Sequence, residues 1–188
     1  MKYYHASPVC GITQLEPRVS NHGSPLVYVS RKRENVLVYL SNAVEKFCRE
    51  AGIEHCGPYY KWASYGFAKD GILQLDEYWP DALAETYAGI GGYIYTVGQS
   101  DALQPMQDIP DAFCSALPLE ATGCEYIPDA LTAILQSETA GLLRIRRYEQ
   151  LGENTLRWLE RVIPQDYGTN AAHPEYRAFL KAKFPRFF

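Results

Sequence analysis

At 188 residues the chain is long enough to bury a core in one domain, or in one domain with an appendage. Its composition, 47% hydrophobic and 21% charged, excludes wholesale disorder. A net charge of −4 with no extended basic stripe disfavours a general nucleic-acid-binding role, because phosphate attraction needs clustered cations.

Tyrosine is the compositional anomaly, with 15 copies. A phenol packs its ring and keeps a polar handle, so the surplus suits a cleft of mixed polarity, although a Tyr-rich core accounts for most of them. The five cysteines, Cys10, Cys48, Cys56, Cys114 and Cys124, form no CxxC pair, and an odd count would strand one thiol in an oxidising compartment. Reduced thiols and a cytoplasmic location are the simpler expectation. The spacing of Cys48, His55 and Cys56 matches no standard zinc pattern, so no metal is expected. Met1–His5 lacks an apolar leader core, and no apolar run reaches 18 residues, so no membrane partner is expected.

In chain order, residues 2–6 read as a short strand, followed by a loop over 7–25 rich in Pro, Gly, Ser and Asn. Val27, Tyr28 and Val29 are β-formers. After Ser30, read as an N-cap, apolar residues at Val36, Leu40, Ala43, Val44 and Phe47 predict one helix that Gly52 stops. Tyr28 and Tyr39 are thereby fixed on rigid elements, positioned to face one cavity. Residues 51–69 read as loop with a short strand at 62–67, among Tyr59, Tyr60, Trp62, Tyr65 and Phe67. Alternation at 72–78 and the YIYTV of 93–97 predict strands, with a helical turn or two at 80–87 between them. A Pro-rich loop covers 105–118, and 124–127 is a short strand ending at Pro128. Helices are predicted at 129–135, 142–163 and 174–183, with Gly152 weakening the middle one. The organisation expected is an α+β body over 1–137 with a helical extension over 138–188 packed on it.

Three pieces carry the chemistry: Tyr4-His5-Ala6-Ser7 on the first strand, the Tyr28…Tyr39 strand–helix unit, and Cys124-Glu125-Tyr126-Ile127 on the last strand. Singly each is weak, since a lone His is more often packed than functional and Glu125 is by default an exposed strand-end charge. Together they resemble the diphtheria-toxin/poly(ADP-ribose) polymerase-like class of ADP-ribosyltransferases, whose signature is His, Tyr and Glu on three strands. The likeness spans about residues 2–135: His5-Ala6-Ser7 match the first motif, Tyr28 with Tyr39 eleven residues on the second, and Glu125-Tyr126-Ile127 the third. The opening HASPVCGITQLEP also looks like that of small bacterial transferases of this type.

The resemblance implies a split β-sandwich of two small sheets with flanking helices, plus the C-terminal helical extension. It implies NAD as substrate, with His5 on the adenosine-side ribose, Tyr28 and Tyr39 sandwiching nicotinamide, Ser7 near the other ribose and Glu125 as the catalytic carboxylate. Arg18 is the candidate phosphate donor, and Glu120 the alternative acid if the register slips. Two positions depart from the family: Val36 stands where a small hydroxyl residue contacts the nicotinamide amide, and Ala6 replaces the commoner Gly.

The expected activity is therefore NAD-dependent mono-ADP-ribosyl transfer or NAD hydrolysis, to an unidentified acceptor (protein side chain, nucleic acid, small molecule or water). Residues 51–70 or 100–119 are the candidate acceptor-side loops. The alternatives are a non-catalytic module binding NAD, ADP-ribose or a protein, a tRNA 2′-phosphotransferase-like enzyme disfavoured by the lack of an Arg/His cluster, and a structural α+β protein.

Overall fold

The fold is that of a computed structural model, which describes residues 1–19, 23–56 and 64–188, and structural statements below refer to those residues. The predicted tyrosines 59 and 60 and Trp62 lie outside them. The chain is α+β. Its strands are β1 (Tyr3–Ser7), β2 (Gln14–Leu15), β3 (Arg18–Val19), β4 (Pro25–Ser30), β5 (Ser64–Phe67), β6 (Leu73–Asp76), β7 (Gly92–Val97), β8 (Gln104–Pro105), β9 (Ala112–Ser115), β10 (Leu119–Ile127) and β11 (Leu143–Arg146). Its α-helices are α1 (Ala43–Glu50), α2 (Ala82–Tyr87), α3 (Ala130–Thr139), α4 (Glu153–Thr169) and α5 (Pro174–Lys183). An eight-stranded sheet runs β2-β10-β7-β1-β4-β9-β8, with β3 paired to β4, and a three-stranded sheet runs β11-β6-β5.

The contacts divide the chain into two compact units, one of Met1–Ser41, Tyr65–Gln74 and Tyr87–Arg144, the other of Asn42–Ser64, Leu75–Thr86 and Ile145–Phe188. In the first, the large sheet is antiparallel and its side chains alternate between faces. One face buries Tyr3, Val27, Val29, Val97, Phe113 and Leu119, with Leu15 and Leu103 closing the cluster. Tyr3 and Phe113 meet edge to face at 5.0 Å. Over the other face lies a 3-10 helix, Glu34–Leu40, which buries Val36, Leu37, Val38 and Leu40. A side chain added at Gly92 would stand 2.6 Å from Leu40 Cδ2 and 3.2 Å from the Ser7 carbonyl oxygen, which is how closely helix and sheet approach. Tyr87 Oη donates to the Val38 carbonyl at 3.1 Å and fixes the helix further.

In the second unit α1, α4 and α5 enclose Val44, Cys48, Trp79, Leu159, Ile163, Tyr176, Phe179 and Phe184. Trp79 sits edge to face against Phe179 and Phe184 at 5.7 and 5.6 Å. Buried Glu77 caps α2 by accepting from the Leu83 amide at 2.9 Å.

The single helix predicted after Ser30 is two segments. Ser30 Oγ accepts from the Lys32 amide at 3.1 Å and forms a local turn, so it caps nothing. The chain breaks at Ser41, and Asn42 begins α1 by accepting from the Val44 and Glu45 amides at 3.0 Å each. The helix predicted over 142–163 also divides. Gly141, at φ +71°, turns the chain out of α3, and residues 143–146 then form β11. Arg144, Arg146 and Arg147 therefore lie on or just after a strand, where Arg146 forks onto Asp76 at 2.5 and 3.0 Å. Gly152 stands at the N-cap of α4.

Candidate active site

All of the sequence-predicted site residues fall in the first unit. β1 pairs with β7 along its whole length, from Tyr3 opposite Val97 to Ser7 opposite Tyr93. Its ladder with β4 runs through one pair, Tyr4 opposite Ser30. Past that pair, Tyr28's carbonyl oxygen lies 2.8 Å from His5 Nδ1, so the imidazole side chain bonds the β4 backbone there. A carbonyl only accepts, so Nδ1 carries the proton and the neutral ring presents Nε2 as an acceptor. Burial lowers the His5 pKa from its ordinary 6.5; the Tyr28 hydrogen bond opposes this and Arg18 on β3 adds to it. His5 is thus neutral at pH 7.

Ser7, two residues along β1, is buried, and its Oγ accepts from the Val9 amide at 3.2 Å to start the loop that follows. Tyr28 is half-buried on β4, opposite Cys114. Tyr39 lies near the end of the 3-10 helix and is half exposed. Val36 is a core residue, 2% exposed, and Ala6 is buried as well.

Glu125 lies on β10 opposite Ile94. Arg33, at the N-terminal boundary of the 3-10 helix, forks onto its carboxylate: Nε donates to Oε2 at 2.8 Å and Nη2 to Oε1 at 2.6 Å. That hydrogen-bonded pairing holds the Glu125 carboxyl below its ordinary range and raises the Arg33 guanidinium. Sequence reasoning missed Arg33. The signal for it is the Arg31-Lys32-Arg33 run, a cluster of cations that can serve a carboxylate as well as a phosphate. Glu120, the alternative acid, is exposed at the other end of β10, opposite Gln14 and roughly 16 Å away along the strand.

The ladder fixes which side chains share a face. Cys124 is opposite Tyr95, and Tyr95 opposite His5; Glu125 is opposite Ile94, and Ile94 opposite Ala6. His5 and Ser7 thus share a face with Tyr93, Tyr95 and Cys124, whereas Glu125 belongs to the opposite phase. A register shift between Ala121 and Gly123 sets this phase. On the His5 face, Tyr95 Oη donates to the Val9 carbonyl at 2.7 Å and accepts from the Ile12 amide at 3.2 Å, which binds the loop after β1 to the sheet. Tyr93 and Tyr126 rings lie 5.2 Å apart, and a hydrogen bond with Cys10 pushes the Tyr93 phenol up to about 12.

Among the described residues, no group of three or more His, Cys, Asp or Glu could hold a metal ion, and no helix is long and apolar enough to cross a membrane. The residues of the resemblance thus comprise one oriented neutral imidazole and, in the opposite ladder phase, one carboxylate held by a guanidinium. No protein-family model matches the chain, and no curated protein and no solved structure matches it.

Proposed function

We infer that the chain is an NAD-dependent mono-ADP-ribosyltransferase or NAD glycohydrolase built on an ADP-ribosyltransferase-like split sandwich. The observation that carries this reading is the parting of β1 from β4 at His5. One ladder pair joins β2-β10-β7-β1 to β4-β9-β8, and beyond it the imidazole engages the Tyr28 carbonyl. Strands that part offer a cleft where a planar ligand can lie between residues from both lips. Nε2 of His5 would accept from an adenosine-side ribose hydroxyl, and the Ser7 hydroxyl keeps its proton to donate to the second ribose. Tyr28 and Tyr39 would stack on the nicotinamide ring, each pair adding about 0.5–1.5 kcal/mol, enough to orient it.

In the reaction the C1′–N bond of the nicotinamide ribose breaks and its electron pair leaves with nicotinamide. Positive charge develops on the sugar, as in glycoside hydrolysis, and a fixed anionic carboxylate stabilises it. Glu125 is that carboxylate in this reading. The acceptor oxygen, from water, a protein or a small molecule, then bonds to C1′ and passes its proton to the Glu125 carboxylate or to solvent water. The free thiols of the chain fit a cytoplasmic setting for such an enzyme.

A second reading, a module that binds NAD or ADP-ribose without turnover, draws on the ladder phase that separates Glu125 from His5. Nicotinamide release from NAD, measured for the native chain and for Glu125→Gln, tests both. The transferase reading expects release that disappears in Glu125→Gln with little change in melting temperature. Undiminished release in the variant removes Glu125 from the mechanism. Calorimetric binding of NAD with no release in either protein selects the binding module.

A further inference from the structure

We propose that Arg33 is the positioning residue for Glu125, fixing the carboxylate that the functional reading above assigns to catalysis; the inference rests on that reading. Glu125 is about half exposed, 51% at its side chain, and an exposed glutamate with no fixed partner would sample several rotamers. The guanidinium removes that freedom, because two N–H groups in a rigid fork meet two oxygens at 2.8 and 2.6 Å. Each oxygen gives up one lone pair and keeps another, so the held carboxylate still accepts from a ribose hydroxyl or an acceptor group.

Arg33 can hold Glu125 because its own backbone is anchored on both sides. Before it, the Lys32 amide donates to Ser30 Oγ at 3.1 Å, the Arg31 amide donates to the Asp111 carbonyl at 2.8 Å, and Lys32 Nζ pairs with the Asp111 carboxylate at 3.2 Å. After it, the 3-10 helix is fixed by four buried aliphatic side chains. Tyr28 lies five residues before Arg33 and Tyr39 six residues after it. The segment that carries both candidate ring-stacking residues thus carries the clasp on the acid, so ring and carboxylate are set by one rigid piece of chain. Glu34 and Tyr4 also act on the Arg33 charge, and both favour it.

The test compares native chain, Arg33→Met, Arg33→Lys and Glu125→Gln by nicotinamide release from NAD across pH, with melting temperatures to confirm folding. Arg33→Met should lower kcat about tenfold or more, short of the full 10²–10⁴ that a positioned acid–base group contributes, with KM for NAD little changed. The acid limb of its pH–rate profile should move to higher pH. Arg33→Lys should restore charge but only part of the rate, since an ammonium cannot fork. A carbon-13 titration of labelled glutamate in the folded proteins should show the Glu125 carboxyl ionising at higher pH in Arg33→Met. Release by the native chain with an unchanged rate and acid limb in Arg33→Met overturns the positioning role and leaves the functional reading standing. No release by the native chain overturns the functional reading, and the positioning role with it.

Discussion

The His5 imidazole and the Tyr28 carbonyl meet at 2.8 Å at the point where two strands stop pairing. The ring is fixed in one tautomer and held neutral by burial, the state required of an acceptor for a ribose hydroxyl.

This neutrality has a stability signature. The folded-state pKa of His5 lies below 6.5, so between that lowered value and 6.5 the unfolded chain binds more protons than the native one. Stability from this group is therefore fully present above 6.5 and falls as pH drops through the window. His5→Gln keeps a donor for the Tyr28 carbonyl and removes the titration. Urea midpoints of both proteins on the acid side of neutrality check this: the native chain should lose stability more steeply than the variant. Parallel pH dependences would mean that His5 titrates normally.

Ser30, the cap read from the sequence, and Asn42, the cap in the structure, separate by mutation. Asn42 accepts from two amides of α1, whereas Ser30 serves one local turn. Asn42→Ala should cost about 0.5–2 kcal/mol of stability, typical of a lost N-cap. Ser30→Ala should cost less, within the roughly 0.5–1.5 kcal/mol net of one hydrogen bond. Denaturant unfolding of both variants checks the order, and a larger loss at Ser30 would restore it as the structural start of the helix.

Much of the fold was legible where periodicity is local. Alternation locates β6, the YIYTV run locates β7, the Pro128 stop places the end of β10, and 174–183 is α5 with the predicted bounds. Two-residue strands such as β2, β3 and β8 are too short to show a period. Around β11, Leu142 and Ile145, three residues apart, fit a helical stripe while Leu143 and Ile145, two apart, fit a strand, and Gly141 before them favours the second. Ser30 and Asn42 are both acceptable caps by residue type, and which hydroxyl or amide meets which N–H is decided by the loop between them. His5, Tyr28 and Glu125 fall on the strands read from the sequence. Their mutual geometry was not legible, because the phase of Glu125 depends on a register shift and its partner Arg33 lies 92 residues away.

Val36 gives the last test, since it is one of the two positions at which the chain departs from the resemblance that motivates the functional reading. Its side chain is 2% exposed in the 3-10 helix, packed as a hydrophobic residue. Threonine has nearly the same shape, so Val36→Thr adds a hydroxyl without adding volume. A hydroxyl buried without a hydrogen-bond partner costs about 1–3 kcal/mol in proteins. Within the helix it could instead bond back to the preceding turn, which would recover part of that cost. We therefore expect Val36→Thr to lower the melting temperature and to leave NAD affinity, read by calorimetry, no higher than in the native chain. An affinity gain without a loss of stability would mean that residue 36 borders the ligand and not the core, and that the nicotinamide pocket extends into the 3-10 helix.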